Sequence, residues 1–212
     1  SILQNNIANS PYPVIVHAAG GVGKSVFCRH LINSLPEGSL GIGYDCFGAG
    51  SYRNRSESRH KHRDALVQIS NELASKGLCD PLIVQNTTLD EDIMRKFLQR
   101  LETSVKSLKK TIDTAQLFIL IDAADNAEMA AKEYAQSCFA HELLRENMPS
   151  GCKLVLLCRT ERINLLQPKS CIKQLELEPF SEEETLINLK KRFPEATDRD
   201  GNEFHRLTTG NP

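Results

Sequence analysis

A length of 212 residues suits one large domain, or one domain with a small appendage, and such a chain buries about 70% of its unfolded surface. A net charge of −1 argues against an overall electrostatic hold on nucleic acid, and no apolar run approaches the roughly 18 residues a membrane helix needs. Seven cysteines, an odd number without a C-x-x-C pair, argue against a zinc site or disulfide framework and for a reducing, cytoplasmic setting.

Residues 1–12 are polar and end in Ser10-Pro11-Tyr12-Pro13, which predicts an extended or turn segment. Next comes a β-branched run, Val14–Ala18, feeding a glycine-rich turn and then a helical pattern from Lys24. That order is the strand–loop–helix context of a phosphate-binding loop. The pattern G-x-x-x-x-G-K-[ST] is met from Gly23-Lys24-Ser25 backwards, with Ala18 in place of the first glycine. Backbone amides of Ala19, Gly20, Gly21, Val22, Gly23, Lys24, Ser25 and Val26 can curl around phosphate oxygens, because glycine removes Cβ clashes. The helix start adds partial positive charge, Lys24 reaches the β- and γ-phosphates, and Ser25 offers Mg²⁺ a hard oxygen.

The first helix is predicted over Lys24 to about Leu35, with Val26, Phe27, Leu31 and Leu35 inward. Pro36 and Gly38 end it, and Leu40–Cys46 reads as a second strand broken by two glycines. Arg53, Arg55, Arg59, Lys61 and Arg63 then punctuate a basic segment that also holds His60 and His62. It reads as a solvated helix start, a γ-phosphate contact, a partner surface or a local nucleic-acid contact. The helix it opens runs on to Gly77. Thr88-x-x-Glu91 predicts a capping box before a long stripe of Leu89, Ile93, Phe97, Leu101, Val105, Leu108 and Ile112.

Leu117–Asp122 is a continuous apolar run ending in an acid, as expected of a central strand buried on both faces. A carboxylate there lies where ligands bind in an open α/β sheet, so Asp122 can hold Mg²⁺ opposite Ser25. Asp125 is a candidate for orienting the attacking water, or for capping a helix predicted from Ala127 to Glu146. A fourth strand, Lys153–Cys158, delivers Arg159 near the γ-phosphate or leaves it as an exposed loop arginine. A fifth strand follows at Lys173–Leu177, then a second capping box, Ser181-x-x-Glu184, and a further short helix before Thr208-Thr209-Gly210-Asn211-Pro212.

Taken together, these motifs resemble the nucleotide-binding module of STAND NTPases, the group of NACHT and NB-ARC switches. The resemblance rests on Gly20–Ser25, on Phe118–Asp125 with Asn126 in place of a further acid, and on Val155–Thr160. Leu177-x-Pro179-Phe180-Ser181 and Gly210-Asn211-Pro212 add a lid entry and a G-x-P turn. It implies a three-layer α/β fold with a parallel five-stranded sheet of order 2-3-4-1-5. Residues 1–180 would form the core and 181–212 the beginning of a helical lid. It further implies ATP with Mg²⁺ as ligand, slow hydrolysis through Lys24, Asp122, Asp125 and Arg159, and Pro212 beside the adenine. The full protein would oligomerise with itself when a trigger is sensed by domains outside this fragment, without a membrane and with nucleic acid unneeded. The strand end Tyr44-Asp45-Cys46-Phe47 and the basic segment after it resemble those of bacterial STAND proteins of antiviral defence. A P-loop small-molecule kinase and a nucleic-acid-handling ATPase are the alternatives.

Overall fold

The protein was analysed as a computed structural model that describes residues 2–54 and 56–211. Alternation decides the architecture. In β1 (Val14–Ala18), β3 (Leu117–Asp122) and β4 (Cys152–Arg159) almost every residue is buried, because successive side chains leave for opposite faces and both faces are covered. Val14, Val16, Phe118, Leu120, Val155 and Leu157 pack on one side with Ile7, Cys28 and Leu31. Ile15, Ile119, Ile121, Leu154 and Leu156 pack on the other with Leu66, Phe97 and Phe139. The result is a three-layer sandwich with a single parallel sheet of order β2-β3-β4-β1-β5, where β2 is Leu40–Asp45 and β5 is Lys173–Glu176. The expected order is met.

One face carries α1 (Ile2–Ala8) and α2 (Lys24–Asn33). The other carries α3 (His62–Ser75), α4 (Asp90–Lys109), α5 (Ala124–Glu133) and the single turn and a half of α6 (Phe139–Leu143). The last helices, α7 (Glu182–Arg192) and α8 (Asp198–Thr208), pack chiefly on each other, joined by a hydrogen bond between the Thr185 hydroxyl and His205. The Ser181–Glu184 capping box forms as predicted, and Thr197 makes a second one with Asp200. Both anchor helices whose first turns are acidic, which also suits the helix dipole.

Several expectations change. Residues 2–8 form a helix rather than an extended segment, held by Ile7, which is buried against the sheet. Val26 does not face inward; it is half-exposed, and Cys28 and Leu31 take the core positions. Thr88 caps nothing on α4. Its hydroxyl accepts instead from the Gln85 amide, Leu89 is the N-cap residue, and the Leu89 side chain points to solvent. The helix expected from Ala127 to Glu146 is two, broken where Ala135 takes a left-handed conformation.

The glycine pair in β2 has a packing reason. A Cβ on Gly41 would sit 3.0 Å from Ile32 and 3.3 Å from the Ile32 backbone, and one on Gly43 3.1 Å from Ile32. Bare backbone lets α2 lie close on β2, and α2 carries Lys24 and Ser25 at its start. Gly41→Val therefore overpacks this seam, at an expected cost of about 2 kcal/mol. In a thermal melt the midpoint should fall by about 4–8 °C for a chain of this size. An unchanged midpoint would show that α2 does not need the space.

Candidate functional site

The carboxyl ends of the strands converge. Parallel register sets Asp45 beside Asp122 across β2–β3, and Ala18 beside Arg159 across β1–β4. The loop after β1 then turns through Gly21 at φ 86° and Gly23 at φ 95°, left-handed values that favour glycine. Gly23 is the N-cap of α2, so the amides at the helix start face the loop rather than a capping side chain. Anions are favoured there by both the free N–H groups and the helix dipole.

Lys24 bends back over this loop and donates to the carbonyls of Ala18 at 2.9 Å and Ala19 at 2.8 Å. Burial lowers its proton affinity, opposed first by the nearby carboxylate of Asp125. Ser25 and Asp122 line the same cleft. Burial raises the Asp122 pKa, with the nearby Ser25 hydroxyl opposing and the Asp45 charge adding to it. Asp125, nearly fully buried in the first turn of α5, receives a hydrogen bond from Arg162 at 3.2 Å. It does not cap α5, whose N-cap is Ala123.

These groups line one cleft of about 800 Å³, walled by Gly20, Lys24, Ser25, Asp122, Asp125 and Arg159, with Asp45 and Phe47 on its β2 flank. Val26 is at its mouth. The guanidinium of Arg159 comes within about 4 Å of where a Cβ on Gly20 would lie, so it faces the loop. On the opposite side the Asn211 side chain lies against Gly21, brought there because the Phe180 amide donates to the Gly210 carbonyl at 2.9 Å. Pro212 lies outside the described residues, as does Arg55. A second cleft of about 770 Å³ runs along α4, lined by side chains of mixed charge and by Pro149 and Ser150 before the start of β4, with none of the carboxyl-end residues Asp45, Asp122 or Arg159 in its wall.

The basic segment is not a solvated helix start. His60 and His62 are fully buried, and α3 begins only at His62. His60 bonds to Gln136 at 2.7 Å, and His62 to Glu142 at 2.8 Å with Asp90 at 3.4 Å. The Arg59 guanidinium stacks over the Tyr44 ring at 4.8 Å and its Nε donates to the Asp45 carbonyl. Arg63 donates to the carbonyls of Asn86 and Thr88. Internal acceptors thus absorb much of this charge.

Asp45, Arg162 and Asn211 are site residues that the motif reading passed over. Asp45 obeys the same rule that singled out Asp122, an acid at the carboxyl end of a strand. Nothing in the sequence marks Arg162.

The donor set matches a hard divalent cation: a hydroxyl and a carboxylate in one cleft, beside an anion-binding loop. The buried cysteines are unreactive neighbours, with burial pushing the Cys28 and Cys158 thiols up to about 12. No helix among the described residues is long and apolar enough to cross a membrane.

A model of the family described as Nephrocystin 3, N-terminal, matches residues 4–159. No curated protein matches the sequence. Among solved structures, a Walker-type ATPase of Pyrococcus abyssi superposes with a TM-score of 0.65 at 17% identity, covering 99% of this chain. A Signal Transduction ATPase with Numerous Domains (STAND) with a tetratricopeptide repeat sensor, from Pyrococcus horikoshii, superposes at 0.50 with 15% identity over 100% of it. The chain spans 62% of the length of the first protein and 28% of the second. The likeness is one of fold: the three-layer P-loop sandwich.

Proposed function

The chain belongs to the Nephrocystin 3, N-terminal, family, and from that premise we propose that it is the ATP-binding and ATP-hydrolysing switch module of a STAND signalling protein. One observation carries the reading. The Lys24 amine bends back over a loop of left-handed glycines, and that loop lines, together with Ser25 and Asp122, one cleft of the size a nucleotide needs.

In this reading the amides of Ala19–Val26 and the Lys24 amine grip the phosphates, and Ser25 and Asp122 hold Mg²⁺. The metal, when bound, neutralises charge on the phosphate oxygens and polarises the bond to be broken. Asp125 stands ready to take a proton from water, and Arg159 reads the terminal phosphate. The segment from Ser181 onward is the start of a lid that closes on the nucleotide, with Asn211 against Gly21. Contacts to the terminal phosphate then favour one arrangement of core and lid, which is how a phosphate becomes a switch. In the full-length protein, located in the cytoplasm, that switch controls self-assembly and effector activation once another domain has sensed its trigger. Antiviral defence is the setting suggested by the Tyr44–Phe47 strand end. The reading gives this module no nucleic-acid partner, and it is supported by Arg59 and Arg63 donating to internal carbonyls.

Calorimetric titration with ATP, with and without Mg²⁺, tests the assignment. Saturable binding that tightens with the metal is expected. Binding unaffected by chelation, or none, would defeat it.

A further inference from the structure

We propose that Arg162 is a brake on this site: it holds Asp125 and so keeps hydrolysis slow. The proposal rests on reading the site as an ATPase. Arg162 lies in the 3-10 turn Thr160–Leu166, directly after Arg159. Its Nη1 donates to Asp125 Oδ2 at 3.2 Å and lies 3.4 Å from Asn126 Oδ1. The Asp125 side chain is only 2% exposed and that of Arg162 27%, so the pair is largely sheltered from water. It joins α5, rooted at the end of β3, to the turn that follows β4.

Asp125 lines the cleft together with Lys24, on whose amine its charge acts. An incoming triphosphate draws Lys24 to its own oxygens, and Arg162 is then the partner that stays.

Asp125 Oδ2 is engaged by the Arg162 donor, and a carboxylate oxygen held in a charge-assisted hydrogen bond is not free to turn to a water. In hydrolysis the water oxygen forms a bond to the terminal phosphorus. The bond from that phosphorus to the bridging oxygen breaks, and its electron pair leaves with the diphosphate. The proton of the water passes to the Asp125 carboxylate. A base held by Arg162 rather than by the water assists this step weakly. Arg162 touches the acid and not the substrate, so it is a positioning residue.

A positioned general base contributes about 10²–10⁴-fold, and releasing Asp125 recovers part of that, so kcat for Arg162→Gln should rise about threefold to tenfold with KM unchanged. Arg162→Lys, which keeps a donor and a charge, should stay near wild type. In the Asp125→Asn background, Arg162→Gln should change nothing. Should Arg162→Gln fail to fold, Arg162→Met keeps the aliphatic stem and carries the same expectation.

The melting shift produced by Mg-ATP is measured alongside. A normal shift with kcat unchanged or lowered in the Arg162 variants overturns the brake alone, as does a rise that persists without Asp125. No shift in the wild type overturns the nucleotide site itself, and the brake with it. If the wild type binds but does not turn over, the Arg162 variant must start turnover, and silence overturns the proposal.

Discussion

Lys24→Ala is expected to abolish protection by nucleotide while leaving the fold intact. At a free Mg-ATP concentration of ~100 times the dissociation constant, a one-site ligand that binds only the folded state adds ~2.7 kcal/mol. For a chain of this size that is a rise in melting midpoint of about 5–10 °C. The amine now donates to the Ala18 and Ala19 carbonyls, so it already sits at the rim of the loop where phosphate oxygens are to be gripped. Without nucleotide the substitution has opposing effects. Two hydrogen bonds are lost, but so is a charge whose burial lowers its proton affinity. A lysine depressed in this way stabilises the fold only above its ordinary value near 10.5, and that contribution disappears as pH falls through the depressed folded value. At neutral pH the charged amine is therefore a net desolvation cost, and its removal should change the ligand-free midpoint little. Differential scanning fluorimetry on both proteins, with and without Mg-ATP, makes the comparison. A variant that still gains the wild-type shift would show that the glycine loop is not where the triphosphate binds.

The parts of this site that could be read in the sequence are those whose chemistry is local. Gly20–Ser25 announces a phosphate loop because the turn, the lysine and the hydroxyl must lie within a few residues of one another. Asp122 announces itself because a both-faces-buried strand is a solid apolar run, and the acid at its end has one place to be. Even the sheet order follows once the chain is seen to resemble a known switch. What could not be read is whatever depends on a partner far along the chain. His60 and His62 look like surface charge until Gln136 and Glu142, 76 and 80 residues away, accept from them inside the protein. Arg162 meets Asp125 across 37 residues and has no periodicity to betray it. The break after α5 occurs at Ala135, in a left-handed conformation that alanine disfavours and that the surrounding packing must impose. The capping box at Thr88 failed for the opposite reason. Its local signal was right in type, yet the hydroxyl found the Gln85 amide first.

Asp122→Asn should make the ligand-free protein more stable at neutral pH and at the same time remove its dependence on Mg²⁺. The carboxylate is buried beside the charge of Asp45, and these two causes raise its pKa above the ordinary value of 3.8 despite the Ser25 hydrogen bond. The sign follows from linkage. A carboxyl that binds its proton more tightly when folded supports the fold below 3.8, and that support is lost as pH rises through its raised folded value. Above that range the ionised group is a burden on the ligand-free fold, one that the proposed metal would relieve. Asparagine keeps the shape and has no charge to bury. Its advantage over the wild type in ligand-free melts should thus be greatest near pH 7 and shrink as the pH is lowered towards 4. Function moves the other way, since a neutral amide is a poor ligand for Mg²⁺, and ATP turnover should fall by about 10²-fold or more. Melts over a pH series, paired with phosphate release at several Mg²⁺ concentrations, read both effects from one preparation. If the variant were instead less stable at neutral pH, Asp122 would be serving the fold through its charge. If its turnover stayed dependent on Mg²⁺ with the wild-type midpoint, some other acid, with Asp45 the nearest, would be holding the metal.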